Sequence, residues 1–193
     1  MVNQRPTNSI AVKIHSDDLV ELEDTKATGG AVRVECTRHY DGTVGPGALD
    51  LVLNVTLELL GTKKEVACNI VEAGQCKAPV TAEAINLPWH TELTLITLGG
   101  IPTVRDMIMK DGQAAGVNPG WVVTCNTILG KVTDTCTAEL VHTGVDQIAE
   151  GVKLLFDQNS PTPNCSQGGA GTGIVRGSVL LLNPSSSLHL LFD

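Results

Sequence analysis

The clearest pattern along the chain is strict alternation between residues 49 and 60. Leu49, Leu51, Leu53, Val55, Leu57 and Leu59 share one face of an extended segment, while Asp50, Asn54, Thr56 and Glu58 share the other. That two-residue period is the signature of a half-buried β-strand. It recurs at Ile10, Val12 and Ile14 and again at Val32, Val34 and Cys36. Residues 19–23, 80–87, 92–98, 174–182 and 188–192 also read as extended. Turn signals fall between them: His15-Ser16-Asp17-Asp18, Thr28-Gly29-Gly30, the Gly/Pro-rich loop 41–50, residues 61–64 and Asn183-Pro-Ser-Ser-Ser187. Residues 104–110 fit either a strand or a helical turn.

One segment predicts a helix, residues 143–157. Thr143 is placed to cap it, Asp146 falls in its first turn, and Val145, Ile148, Val152, Leu155 and Phe156 recur at helical spacing. The expected fold is therefore mostly β, an antiparallel β-sandwich or barrel-like sheet with this one α-helix packed on it. Residues 1–8 read as a polar leader. No repeat or linker divides residues 9–193, which read as a single domain.

Residues 120–140 carry a hairpin signal, with β-branched runs on both sides of Gly130-Lys131. Glycine at the first central position suits a two-residue type II′ turn. That turn sets Leu129 against Val132 and brings Cys125 opposite Cys136, at the roughly 4.5–5.5 Å Cα spacing a disulfide can bridge. Cys68 and Cys76 flank a segment in which Gly74 suits a turn, so a second cross-hairpin bridge is expected there. Cys36 and Cys165 then pair by elimination. Six cysteines with no Cys-x-x-Cys and no histidine at ligand spacing argue for disulfides over zinc. Cystines imply an oxidising compartment.

Aromatic residues make up only 3% of the 193 residues, so the core has to be aliphatic. A net charge of −8, with no cluster of Lys or Arg, argues against nucleic acid and anionic membranes. No apolar run approaches the roughly 20 residues that span a bilayer. The first residues lack the apolar segment of a signal peptide. Either an export segment has been removed, or the protein leaves the cell by another route, as a virion component does.

Candidate chemistry is sparse, and no metal or other cofactor is expected. His15, Ser16 and Asp17 are adjacent and do not converge as a triad. Asp41 and Asp50 match no EF-hand spacing. The glycine-rich stretch 168–173 lacks the strand, helix and lysine of a phosphate cradle. No nucleophile elbow or zinc-protease motif occurs. A contact surface is sought at Trp89, His90 and Glu92 beside Pro88, and at Arg105 and Asp106. Against this stand core packing for Trp89 and a solvated ion pair for Arg105 and Asp106.

Several segments in joint order resemble a group of small secreted actinobacterial proteins of unassigned function. They are Gly42-Thr-Val-Gly-Pro-Gly47, Leu87-Pro-Trp-His-Thr-Glu-Leu93, Arg105-Asp106, Gly120-Trp121 with Thr124-Cys125, Thr133-Asp-Thr-Cys136 and Cys165-Ser-Gln-Gly-Gly-Ala-Gly171. The resemblance implies an exported, disulfide-bonded product and supplies no activity, ligand or catalytic residue. Three functions are weighed. The first is a non-enzymatic extracellular structural or interaction domain that meets a protein or cell-surface partner. The second is a virion or surface-assembly component, a homo-oligomer joined through edge strands such as 49–60 and the C-terminal strand. The third is an extracellular hydrolase using His39, His90 or His142 with a nearby carboxylate.

Overall fold

A computed structural model describes residues 10–44, 49–58, 68–98, 100–109, 117–148, 151–156 and 162–182. Those residues form β1 (Ile10–Asp24), β2 (Val32–Val44), β3 (Leu49–Glu58), β4 (Asn69–Glu72), β5 (Lys77–Ile85), β6 (Trp89–Leu98) and β7 (Ile101–Met109). After these come β8 (Gly120–Thr127), β9 (Gly130–Thr137), β10 (Leu140–Ile148), β11 (Gly151–Phe156), β12 (Asn164–Cys165) and β13 (Gly173–Leu182). The leader at 1–8, the turn at 61–64 and the strand expected at 188–192 lie outside the described residues.

The described strands fall into two antiparallel sheets rather than one closed barrel. The larger runs β1-β13-β11-β10-β7-β6-β3-β2-β4, and the smaller runs β12-β9-β8-β5. β1 pairs along both of its edges, with β13 and with β2. The turn expected at 15–18 is instead a register irregularity inside this one long strand, between Ser16 and Val20. The ambiguous segment at 104–110 is strand over its described part, paired with β6 on one side and β10 on the other.

The helix expected at 143–157 is not there. Residues 143–148 and 151–156 are two paired antiparallel strands, with Thr143 opposite Phe156, Val145 opposite Leu154 and Ile148 opposite Gly151. Gly144 and Gly151 each disfavour a helix by about 1 kcal/mol, and the Val, Ile and Thr residues suit a pleated surface. The pair also gains partners on both sides, β7 along β10 and β13 along β11. Tertiary pairing overrides a helical period that an alternating reading of Val152, Leu154 and Phe156 fits as well. Among the described residues no helix is long and apolar enough to cross a membrane.

Alternation sets the core. Val20 and Leu22 of β1, Val34 and Cys36 of β2, Val80, Ala82 and Ala84 of β5, and Trp121, Val123 and Cys125 of β8 are all buried. They belong to one apolar cluster drawn from both sheets. On the opposite parity a charge ladder crosses the larger sheet. Arg176 of β13 reaches Glu23 at 2.6 Å and Glu21 at 3.4 Å, and Arg33 of β2 reaches Glu72 of β4 at 3.2 Å. Opposite charges on neighbouring strands support this pairing, each pair by a fraction of a kcal/mol.

All six cysteines are bridged, but each expected pairing is replaced. The bonds are Cys36–Cys68, Cys76–Cys125 and Cys136–Cys165. The cause for residues 125 and 136 is the hairpin turn. Ile128 and Leu129 make it, with Thr127 opposite Gly130. Thr127 Oγ1 accepts from the Leu129 N–H at 3.1 Å and donates to the Gly130 carbonyl at 2.9 Å, and Gly130 takes a φ of 121°. A turn two residues earlier than expected sets Cys125 against Val132 and Cys136 against Trp121.

The other cysteines follow their strands. β4 pairs with β2, not with β5, setting Val34 opposite Ile70 and Glu35 opposite Asn69. One step further along that register Cys36 meets Cys68, Cα to Cα 4.6 Å. β12 sets Cys165 directly opposite Cys136, which removes it from Cys36. Cys76, just ahead of β5, then bonds to Cys125 on the neighbouring β8. Cys68 also donates its N–H to the Val80 carbonyl at 3.2 Å, so the Cys36–Cys68 bond links the two sheets.

Candidate functional site

Two strands break their own inward alternation with a carboxylate. Along β9 and just past it the inward series is Val132, Asp134, Cys136 and Ala138, and Asp134 is only 7% exposed. Along β1 the series Val20, Leu22 ends in Asp24, 3% exposed. A carboxylate in an inward position costs several kcal/mol unless it finds donors, so both need donors from their surroundings.

The segment after β12 supplies most of them. Asp134 Oδ1 accepts from the Ser166 hydroxyl and from the Gln167 N–H, each at 3.0 Å. Asp24 Oδ1 accepts from the Lys26 N–H at 3.0 Å. The Asp24 carboxyl lies within hydrogen-bond reach of the Asp134 carboxyl. Burial pushes the Asp134 carboxyl above the usual carboxylate range. The Gln167 N–H and Ser166 hydroxyl pull it back, the neighbouring Asp24 raises it again, and the net direction is upward.

The same segment replaces a missing strand. Thr135 donates its N–H to Ser166 Oγ at 2.9 Å, Ser166 donates its N–H to the Thr135 carbonyl at 2.8 Å, and Gln167 Nε2 reaches the Thr133 carbonyl at 3.1 Å. These bonds satisfy the edge of β9 beyond the short β12, where an open edge invites pairing with another chain. The segment is held to β1 as well, because Thr25 donates both its N–H and its hydroxyl to the Thr172 carbonyl, at 2.9 and 3.0 Å. Gly168 packs flat on Asp24, and a Cβ there would fall 2.1 Å from Asp24 Oδ1.

Beside this cluster lies a groove of about 230 Å³. Val32, Val123, Val132 and the Cys76–Cys125 bridge supply apolar walls, and Asp134 and Gln167 are polar members of the lining. Leu129 belongs to the lining too, and with Ile128 it forms the hairpin tip, 90% and 82% exposed. Two large aliphatic side chains thus stand together in solvent at a tight turn.

The chemistry of the cluster is limited by what its atoms already do. Ser166 Oγ donates to Asp134 and accepts from the β9 backbone, the pattern of a structural hydroxyl. Asp134, Cys136 and Cys165 are the group of potential metal ligands among the described residues, but both sulfurs are consumed in one disulfide and offer no thiolate.

The residues singled out from the sequence lie elsewhere. Trp89 is buried at 9% and donates its indole N–H to the Ile85 carbonyl at 2.8 Å, so it packs in the core. His90 is half-buried on β6. Glu92 follows on that strand opposite Met107, while Arg105 and Asp106 sit on the adjoining β7 opposite Thr94 and Leu93. The sheet thus brings this group to two neighbouring strands, away from the small sheet that carries Asp134. His39, His90 and His142 belong to three different strands, β2, β6 and β10.

Sequence reasoning passed over Asp24 and Asp134. The signal was present, since both continue the inward parity of strands whose other inward members are apolar. Two of the segments that carry the resemblance, Thr133-Asp-Thr-Cys136 and Cys165 to Gly171, meet here. Comparison with protein-family models, with curated proteins and with solved structures finds no match for the chain. Three disulfides point to an oxidising environment.

Proposed function

We propose that this protein is an extracellular, non-catalytic structural or interaction domain. One observation carries the reading: every cysteine is spent in a bond between neighbouring strands or strand ends, which builds a durable scaffold and leaves no reactive thiol. The resemblance to small exported actinobacterial proteins agrees with it, and so does an architecture of two sheets sandwiched over a shared aliphatic core. By register His90 and Glu92 on β6 and Arg105 on β7 share one parity and form one proposed contact face for a protein or cell-surface partner, while Asp106 has the opposite parity. The test is fractionation of the producing cells followed by alkylation of the recovered protein under denaturing conditions. Recovery outside the cell with no alkylated cysteine is expected. Recovery only from the cytoplasm, with the thiols alkylated, would falsify the proposal.

A second reading, an assembly subunit, draws on the hairpin tip. Leu129 both projects from the tip and lines the groove, so tip and groove form one continuous patch. A second copy of the chain related by a twofold axis would set each tip into the other's groove, an isologous contact. Pairing through the strand at 49–60 is not part of this reading, because β3 lies between β2 and β6 within the larger sheet. Light scattering on the eluting protein separates the readings. A monomer over the micromolar range supports the first. A dimer that Leu129→Ser dissociates supports the second.

A further inference from the structure

We propose that Asp24 and Asp134 form a proton-binding site, holding one proton between their facing carboxyl oxygens and clasping β1 to β9 more firmly as the surroundings turn acidic. Each Oδ1 is satisfied, that of Asp134 by Ser166 and Gln167 and that of Asp24 by Lys26. No donor reaches Asp24 Oδ2, which is buried. Asp134 Oδ2 has only Cys136 Sγ nearby, at 4.0 Å, and a disulfide sulfur carries no proton. Two carboxylates within hydrogen-bond reach of one another repel while both are charged. One proton between them turns that repulsion into a short, charge-assisted O–H···O hydrogen bond.

No other group supplies the missing charge. On β1 the neighbouring Glu23 is engaged by Arg176, and Lys26 contributes only its backbone N–H. Arg33 of β2 is paired with Glu21 and Glu72. Residues 166–172 contain only Ser, Gln, Gly, Ala and Thr, and β8 contains nothing that titrates, its cysteine being bridged. On β9 the other charged residue is Lys131, exposed beside the hairpin turn. Among the described residues neither aspartate makes an ion pair. A metal ion fits poorly, because calcium takes about 6–8 oxygens. Here two remain, and the Gly168 backbone closes over that of Asp24.

The sign of the pH effect follows from linkage. An unfolded aspartate releases its proton near pH 3.9, and burial with Asp24 alongside lets the folded Asp134 carboxyl hold its proton to higher pH. Between those two points the native state binds more protons, so stability falls as pH rises through the window. Below it the clasp is closed. Above it two negative charges face each other beneath the groove lining that Asp134 and Gln167 share.

The test is a carboxyl carbon NMR titration of the oxidised protein, with thermal unfolding from pH 3.5 to pH 8 for wild type, Asp134→Asn and Asp134→Ala. A midpoint for Asp134 above the ordinary aspartate range is expected. Asp134→Asn keeps the acceptor for Ser166 and Gln167 and offers its amide to Asp24 Oδ2. Its Tm at pH 7 should equal or exceed that of wild type by about 2–4 °C, while Asp134→Ala falls below. Ordinary midpoints for both carboxyls overturn the proposal, as measured on the wild type itself. So does a Tm at pH 7 that rises with added calcium and drops equally in both variants, which is the behaviour of a cation site.

Discussion

Cys136 and Cys165 stand directly opposite one another where β12 meets β9, with their Cα atoms 4.0 Å apart. This bond carries more than its own cross-link, because the residues that follow Cys165 complete the edge of β9 and supply the donors to Asp134. With its ends separated by 29 in sequence, loop-closure entropy puts its contribution at about 3.5 kcal/mol. The double variant Cys136→Ala/Cys165→Ala should lose about that much in urea unfolding. It should also become open to proteolysis between residues 162 and 173. An unchanged midpoint would show that the backbone bonds to Thr135 hold the segment without the sulfur.

Gly120 and Gly168 are both placed where a side chain has no room. A Cβ on Gly120 would meet the Cys136 carbonyl oxygen at 2.2 Å, which is backbone and has nowhere to go. Gly120→Ala is expected to cost about 1–3 kcal/mol by overpacking. Gly168→Ala drives into the Asp24 carboxyl at 2.1 Å and the Thr172 hydroxyl at 2.6 Å, and should cost a similar amount. Thermal unfolding of both variants checks this, with wild-type Tm values as the contrary result.

Trp89 is held by its indole N–H as well as by packing. Trp89→Phe keeps most of the apolar contact and removes the bond to the Ile85 carbonyl. The loss should be about 1–2 kcal/mol. Trp89 and Trp121 are both buried, so unfolding is read from the red shift of tryptophan emission, with Trp121 as the remaining probe in the variant. A midpoint equal to wild type would mean the hydrogen bond adds nothing beyond packing.

The hairpin tip separates stability from contact. Ile128 and Leu129 are exposed, so Ile128→Ser/Leu129→Ser should leave the unfolding free energy within about 0.5 kcal/mol of wild type. Any self-association seen by light scattering should vanish with it. Destabilisation by more than 1–2 kcal/mol would mean the tip packs against the body of the protein.

Local alternation made much of the strand content legible, and Val80, Ala82 and Ala84 sit inward as a two-residue period requires. The even cysteine count made the cystines legible for the same kind of reason, since it depends on composition alone. The segment at 143–157 misled because apolar spacing there fits two periods, and only β7 and β13 on either side decide between them. Asp24 and Asp134 each interrupt an apolar inward series, but nothing local to either strand says that the two meet.

Parity, face and redox chemistry are local properties, and the chain carries them residue by residue. Partnership is not local. Which cysteine meets which depends on turn position and on the strand that arrives alongside, so a two-residue displacement at Ile128-Leu129 was enough to part Cys125 from Cys136. The carboxyl pair arises the same way, from β1 and β9 being drawn to one segment by a disulfide and two threonine-to-carbonyl hydrogen bonds that only the folded chain assembles.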